Sequence, residues 1–195
     1  MRKGRLEAFS DGVIAILITI MVLELHPPQS GEFAALGESV PGLLNYLLSF
    51  IYVGIYWNNH HHLLHTADRV NGTILWANLH LLFWLSLVPF ATGYASRTHF
   101  APLPTAVYGI VFLLAAFAYT ILQNAIIRFH GTSSRLSIAV GSDLKGKLSI
   151  VLYIAGIAAS FFQPYVGFAL YIAVAVVWFV PDRRIEQLEE FTGQA

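Results

Sequence analysis

Long apolar runs alternate along the chain with short segments where charge and proline gather. Six runs stand out, with approximate limits 6–25, 41–62, 71–96, 105–128, 144–163 and 165–180. Each is close to the roughly 20 residues that a helix needs to cross a ~30 Å hydrocarbon core. Pro27-Pro28, Pro102 with Pro104, Pro164 and Pro181 sit at the joints, where a missing N–H donor is tolerated. Pro89 falls inside the third run, and is predicted to kink or end that helix near its outer end. No internal repeat is visible. The pattern predicts an all-α integral membrane protein, with residues 1–195 forming a single unit of six transmembrane helices. The first run is expected to be retained rather than cleaved, because Asp11 interrupts it and Glu24-Leu25-His26-Pro27-Pro28 lacks a small-residue cleavage pattern.

Composition sharpens the class. The chain is 56% hydrophobic and 11% charged, against about 25% charged residues in an ordinary soluble domain. Bases and acids balance at 11 each, so no global charge points to nucleic acid or an acidic partner. The absence of cysteine excludes disulfides and thiolate metal sites. Charge placement then gives an orientation, since cytoplasmic loops hold the excess of Lys and Arg. Arg2, Lys3, Arg5, Arg69, Arg128, Arg135, Lys145, Lys147, Arg183 and Arg184 fall on the side of the N-terminus, and Arg97 alone on the other. Both termini are therefore predicted to be cytoplasmic. Glu24 then lies near the outer end of the first helix, about 20 Å from Asp11. There it either concentrates cations at a mouth or serves as an ordinary interfacial carboxylate.

Asp11 lies one turn inside the first run, and a carboxylate at that depth costs on the order of a few kcal/mol unless it meets protein or water. Two readings follow: Asp11 turned into a bundle or cavity, or an interfacial acid paired with Arg5 or a lipid headgroup. One face of the same helix carries Ile16, Thr19, Ile20 and Leu23, spaced by three and four residues. Such a stripe lines a pore or packs against neighbouring helices with the same periodicity.

His60, His61, His62 and His65 close the second run, and His80 lies in the third. Positions 61 and 65 share a helix face, which invites a metal reading. Against it, no acid adjoins the cluster before Asp68, and His26, His99 and His130 stand alone. The expectation is no metal, no cofactor and no catalytic residue. Instead, one or two of these rings, with Trp57 and Asn78, are expected to hydrogen-bond the Arg5-Ser10-Asp11 group, since buried polar atoms require partners. Which histidine does so is open. The remaining histidines suit an exposed helix end. The aromatic residues suit lipid contact and interfacial belts. Ser133-Ser134 reads as a polar connector, and Ile185, Leu188 and Phe191 suggest a short amphipathic extension.

The string Arg5-x-x-x-Phe9-Ser10-Asp11 opens the first helix. Trp57-Asn58-Asn59-His60-His61 ends the second, Asn78 lies in the third, and Pro89-Phe90 sits nearer its far end. Together they resemble the signature of the transmembrane protein 175 family, the bacterial and endolysosomal potassium channels. The resemblance implies a homotetramer whose first helices line a central pore. Ile16, Ile20 and Leu23 would form its apolar constriction, with Thr19 facing the same path. The permeant ion it implies is K+. It assigns Arg5, Phe9, Ser10 and Asp11 to anchoring and tilting the helix rather than to coordinating ions, within a polar network that includes Trp57, His60, His61 and Asn78. The family has no glycine-rich carbonyl filter, and this chain has no Thr-Val-Gly-Tyr-Gly string.

The expected protein is thus a passive, potassium-selective cation channel in a bacterial plasma membrane. Its partners are copies of itself, the lipid bilayer and monovalent cations. Two rivals stand beside it. A proton-coupled secondary transporter would use an intramembrane acid, but near the midplane and with repeated halves. A histidine-metal membrane enzyme would load the histidine cluster.

Overall fold

The computed structural model describes residues 3–28, 30–131, 136–137 and 143–179. The loop serines Ser133 and Ser134, and the tail with Ile185, Leu188 and Phe191, lie outside the described residues. The described elements are helical: α1 (Gly4–Met21), followed by a 3-10 turn (Val22–Glu24), α2 (Phe33–His65), α3 (Gly72–Ser86), α4 (Val88–Arg97), α5 (Pro102–His130), α6 (Leu144–Ser160) and α7 (Pro164–Phe179). With α3 and α4 counted as one interrupted run, these elements make six helical passes among the described residues. Four runs, Gly4–Glu24, Phe33–His65, Gly72–Arg97 and Pro102–His130, are long and apolar enough to cross a membrane. The last two helices are shorter, at 17 and 16 residues, or about 25 Å each.

Proline chemistry explains one boundary that departs from the expected ones and one break that follows the expectation for Pro89. The second helix begins at Phe33, not Pro41, and carries Pro41 inside it. Pro41 and Gly37 are both exposed, so the Gly37 carbonyl, deprived of its i+4 donor, does not strand a polar group in the core. The third run breaks at Leu87, with Pro89 in the first turn of α4. A first-turn N–H has no intrahelical acceptor in any case, so proline restarts the helix without loss.

α1 shows how the bundle closes. Leu6, Ser10, Ile14, Leu17 and Met21 recur every three or four residues and are buried, packing α1 against α2, α3 and α4. Its two ends are tied separately. The Lys3 ammonium donates to the His65 carbonyl at 2.9 Å at one end. At the other, the Arg97 guanidinium meets the Glu24 carboxylate at 2.8 Å. Gly93 faces Glu24, and a Cβ there would overlap the carboxylate.

The other half of the bundle, α5 with α6 and α7, is organised around aromatics. Tyr52 stacks on Phe112 with centroids 4.1 Å apart, and Tyr108 meets the same ring edge-on at 4.9 Å. Tyr171 is fully buried between Gly109 and Gly156, where side chains larger than hydrogen would collide with its ring. Such close approach of small residues is how membrane helices gain packing without a hydrophobic drive between them. Several tyrosine hydroxyls tie the helices together through backbone carbonyls: Tyr52 bonds to Tyr171, Tyr56 to Phe112 and Tyr119 to Asn59.

Candidate functional site

The face of α1 opposite its packed stripe is apolar and uncovered. Ile16 is 57% exposed, Ile20 45% and Leu23 73%, and Thr19 lies exposed between them. The Thr19 hydroxyl donates to the Ile16 carbonyl at 2.9 Å. Its proton is thereby taken up within the helix, and its oxygen lone pairs are left for an outside partner. Phe9 is also exposed, at the start of the same helix.

The polar residues of the signature separate into two groups. In the first, the Asn78 amide on α3 donates to the Ser10 hydroxyl at 2.9 Å, and Ser10 donates on to the Leu6 carbonyl at 2.9 Å. The His60 Nε2 meets the Asn78 carbonyl oxygen at 2.6 Å. Ser10, His60 and Asn78 are all buried, so one short chain of bonds joins α1, α2 and α3 and satisfies each member. In the second group, the Trp57 indole N–H donates to Asp11 Oδ1 at 2.9 Å in an exposed setting. Asp11 therefore lies on the bundle surface rather than in its interior, and bonds to Trp57 instead of Arg5, a histidine or Asn78. Helix geometry is the cause. Successive residues are ~100° apart, so with Ser10 turned inward Asp11 falls at the edge beside α2. Arg5 is exposed and takes no part in the Trp57 bond or in the described ion pairs.

Among the described histidines His60 is the one buried as a whole residue. His61 is exposed, its ring 6.2 Å from Trp57 and 6.1 Å from His65. His80 accepts from the Trp84 indole at 2.9 Å. Among the described residues no three His, Asp or Glu side chains converge as metal ligands would.

A second polar cluster, at the other end of the bundle, was not singled out by the sequence reading. The Asn45 amide donates to the Thr92 carbonyl at 2.9 Å and the Ser96 hydroxyl at 2.8 Å. The Thr92 hydroxyl meets Ser49 at 2.7 Å, and Ser49 meets Tyr108 at 3.0 Å. Its signal in the sequence is faint but physical: Asn45 with Ser49, and Thr92 with Ser96, are polar pairs one turn apart in apolar runs, the arrangement by which membrane helices bond to each other.

Comparison with known proteins bears on the same elements. The family model of the endosomal/lysosomal potassium channel TMEM175 matches residues 5–89. The chain is 58% identical over 187 residues to a potassium channel of Chryseobacterium sp. (strain P1-3), covering 96% of this chain and 97% of that one. It is 31% identical over 147 residues to the endosomal/lysosomal proton channel TMEM175 of Bos taurus, covering 66% of this chain and 30% of that longer protein. The crystal structure of a lysosomal potassium-selective channel TMEM175 homolog from Chamaesiphon minutus superposes with a TM-score of 0.77 at 28% identity, covering 92% of this chain and 97% of that one. The matched segment runs from Arg5 through the Ser10–Asn78–His60 chain to Pro89, and sequence and fold agree over nearly the full length: this integral membrane protein belongs to the TMEM175 family.

Proposed function

We propose that the chain is one subunit of a passive potassium channel, a homotetramer of a bacterial plasma membrane with both termini cytoplasmic. The observation that carries this reading is the two-sidedness of α1. One stripe is packed into the bundle, while the opposite stripe of Ile16, Ile20 and Leu23 is apolar and exposed. One such helix cannot enclose a path, whereas copies arranged around an axis can. The narrowest part would then be a ring of bulky apolar side chains, where dewetting gates flow. Thr19, whose proton is spent on Ile16, offers an oxygen to a partly dehydrated cation. The names of the relatives, potassium channels of Chryseobacterium and Chamaesiphon minutus, support K+ as the permeant ion.

In this reading the protein is not an enzyme and uses no cofactor. Asp11, Trp57, Ser10, Asn78 and His60 set the tilt and rotation of α1 instead of touching ions. Planar bilayer recording of the purified protein tests it. Single-channel currents that rise linearly with voltage and reverse toward the potassium potential are expected, and a pH-gradient arm separates K+ from proton current. Saturating, carrier-like turnover, or uptake coupled to a proton gradient, would favour a secondary transporter.

A further inference from the structure

Between α2, α5, α6 and α7, at the end of the bundle where the chain begins, lies a cavity with about 50 Å³ open to the centres of water-sized spheres. A single water needs ~10–15 Å³ by the same measure, so the space suits a group of roughly four heavy atoms. It lies inside one subunit, away from the exposed stripe of α1. Its walls combine aromatic rings, among them Tyr56, Tyr119 and Trp178, with Asn59, Gln123 and Asp143.

The hydrogen-bonding inventory of the walls is one-sided. The Asn59 amide donates to the Ile55 carbonyl at 2.8 Å, and the Tyr56 and Tyr119 hydroxyls donate to the carbonyls of Phe112 and Asn59. The Thr120 hydroxyl donates to Ala116 at 3.0 Å and the Ser149 hydroxyl to Lys145 at 2.8 Å. The indole of Trp178 donates to Ser149 at 2.7 Å. The donors just named are thus engaged in the walls, and what they leave toward the space is mostly oxygen: Asn59 Oδ1, the tyrosyl oxygens and the Asp143 carboxylate, whose Oδ1 also accepts from the Gly146 N–H at 3.1 Å. Gln123 is only 6% exposed, and its amide bonds to none of the described residues. That amide opens on the space, where it can turn its oxygen or its N–H groups to an occupant.

We propose that this cavity binds a small organic cation bearing several N–H donors, of the guanidinium or primary ammonium class. Acceptor oxygens take the N–H groups, Asp143 supplies the counter-charge, and the aromatic faces favour a cation over a neutral group. An anion would meet Asp143 and find few donors.

The test uses the full-length protein in lipid nanodiscs at fixed potassium chloride, titrated calorimetrically with methylguanidinium. Urea, which has the N–H groups without the charge, and tetramethylammonium, which has the charge without N–H groups, are run in parallel. Saturable binding of methylguanidinium is expected, with the other two weaker by about tenfold or more. Gln123→Leu is expected to weaken methylguanidinium by about tenfold and Gln123→Glu to strengthen it, by adding a second carboxylate. Binding to a pore lined by α1 would not respond to Gln123. No saturable heat with the wild-type protein would overturn the proposal, as would equal binding of urea, or affinity unchanged in both Gln123 variants. If Gln123→Leu does not fold, Gln123→Glu and the wild-type ligand preference decide.

Discussion

Asp11 of α1 accepts its hydrogen bond from the indole of Trp57 on α2, at 2.9 Å, while its neighbour Ser10 is held from the other side by Asn78 of α3, also at 2.9 Å. Two adjacent residues thus fix one helix against two different neighbours. Rotation of α1 about its own axis would stretch one bond or the other. The exposed stripe of Ile16, Ile20 and Leu23 consequently has a defined direction.

Asp11→Asn keeps an oxygen for Trp57 but removes the charge, and hydrogen bonds to charged groups are worth roughly 1.5–3 kcal/mol against about 1 for neutral ones. The expected loss is about 1 kcal/mol of subunit stability, shared with Trp57→Phe, so that the double variant is little worse than either. Oligomer size in detergent should fall or broaden. Conductance measured across a salt series supplies the contrary outcome, because a current defect that vanishes at high salt would mark Asp11 as a pore charge.

Asn78→Leu should be far more damaging. It leaves the buried His60 ring without its partner, at roughly 1–3 kcal/mol, and removes the bond that the Ser10 hydroxyl accepts, about 1 kcal/mol more, while Ser10 keeps its bond to the Leu6 carbonyl. Thermal unfolding of the purified protein should report a fall on the order of 10 °C, and Asn78→Gln should not restore it, since the longer amide has no room in a fully buried site. A midpoint within a degree or two of wild type would mean that the three residues do not act as a chain.

Ile16→Ala shortens a side chain on the exposed stripe of α1, so a constriction built from it should widen and wet. Conductance is expected to rise severalfold and discrimination between potassium and sodium to weaken. Thr19→Val removes the oxygen while keeping the shape, and should lower the permeability ratio with little change in assembly. Unaltered currents and ratios in both variants would leave the stripe facing lipid or another subunit rather than ions.

Gly109→Ala places a methyl group against the ring of Tyr171, which is fully buried and cannot retreat. Overpacking of this kind costs roughly 1–3 kcal/mol, read as a drop of about 5 °C in the unfolding midpoint. Gly12→Ala serves as the comparison, since a Cβ at Gly12 meets nothing nearby, and it should be neutral or slightly stabilising.

The helices themselves were legible because apolar length and proline punctuation encode them directly, and the break before Pro89 follows from one missing N–H. The start of α2 was not, because Pro41 reads as a boundary unless one knows that its surroundings are exposed. The polar group beneath α1 was legible in membership but not in wiring. Ser10, Asp11, Trp57, His60 and Asn78 all stand out as polar residues in apolar runs, yet which of Ser10 and Asp11 turns inward depends on the rotation of α1, and a turn of about 100° exchanges their roles. Gln123 drew no notice for a similar reason. A lone amide in an apolar run gains meaning only when the helices around it prove to enclose a cavity.

The break at Leu87 makes the third run two bodies with separate holds on α1. The body before the break grips α1 near its beginning, through Asn78 and Ser10. The body after it grips α1 just past its end, through Arg97 and Glu24. A rigid continuous helix would make those two holds move together. Here the joint lies between them, so a change of angle at residues 87–89 would act as a crank, displacing one end of α1 while the other end stayed pinned. In the tetrameric channel proposed above, opening and closing would then require no sliding of whole subunits: a few degrees at one proline-marked elbow would swing the Leu23 end of each helix and leave the Ser10 end as its pivot.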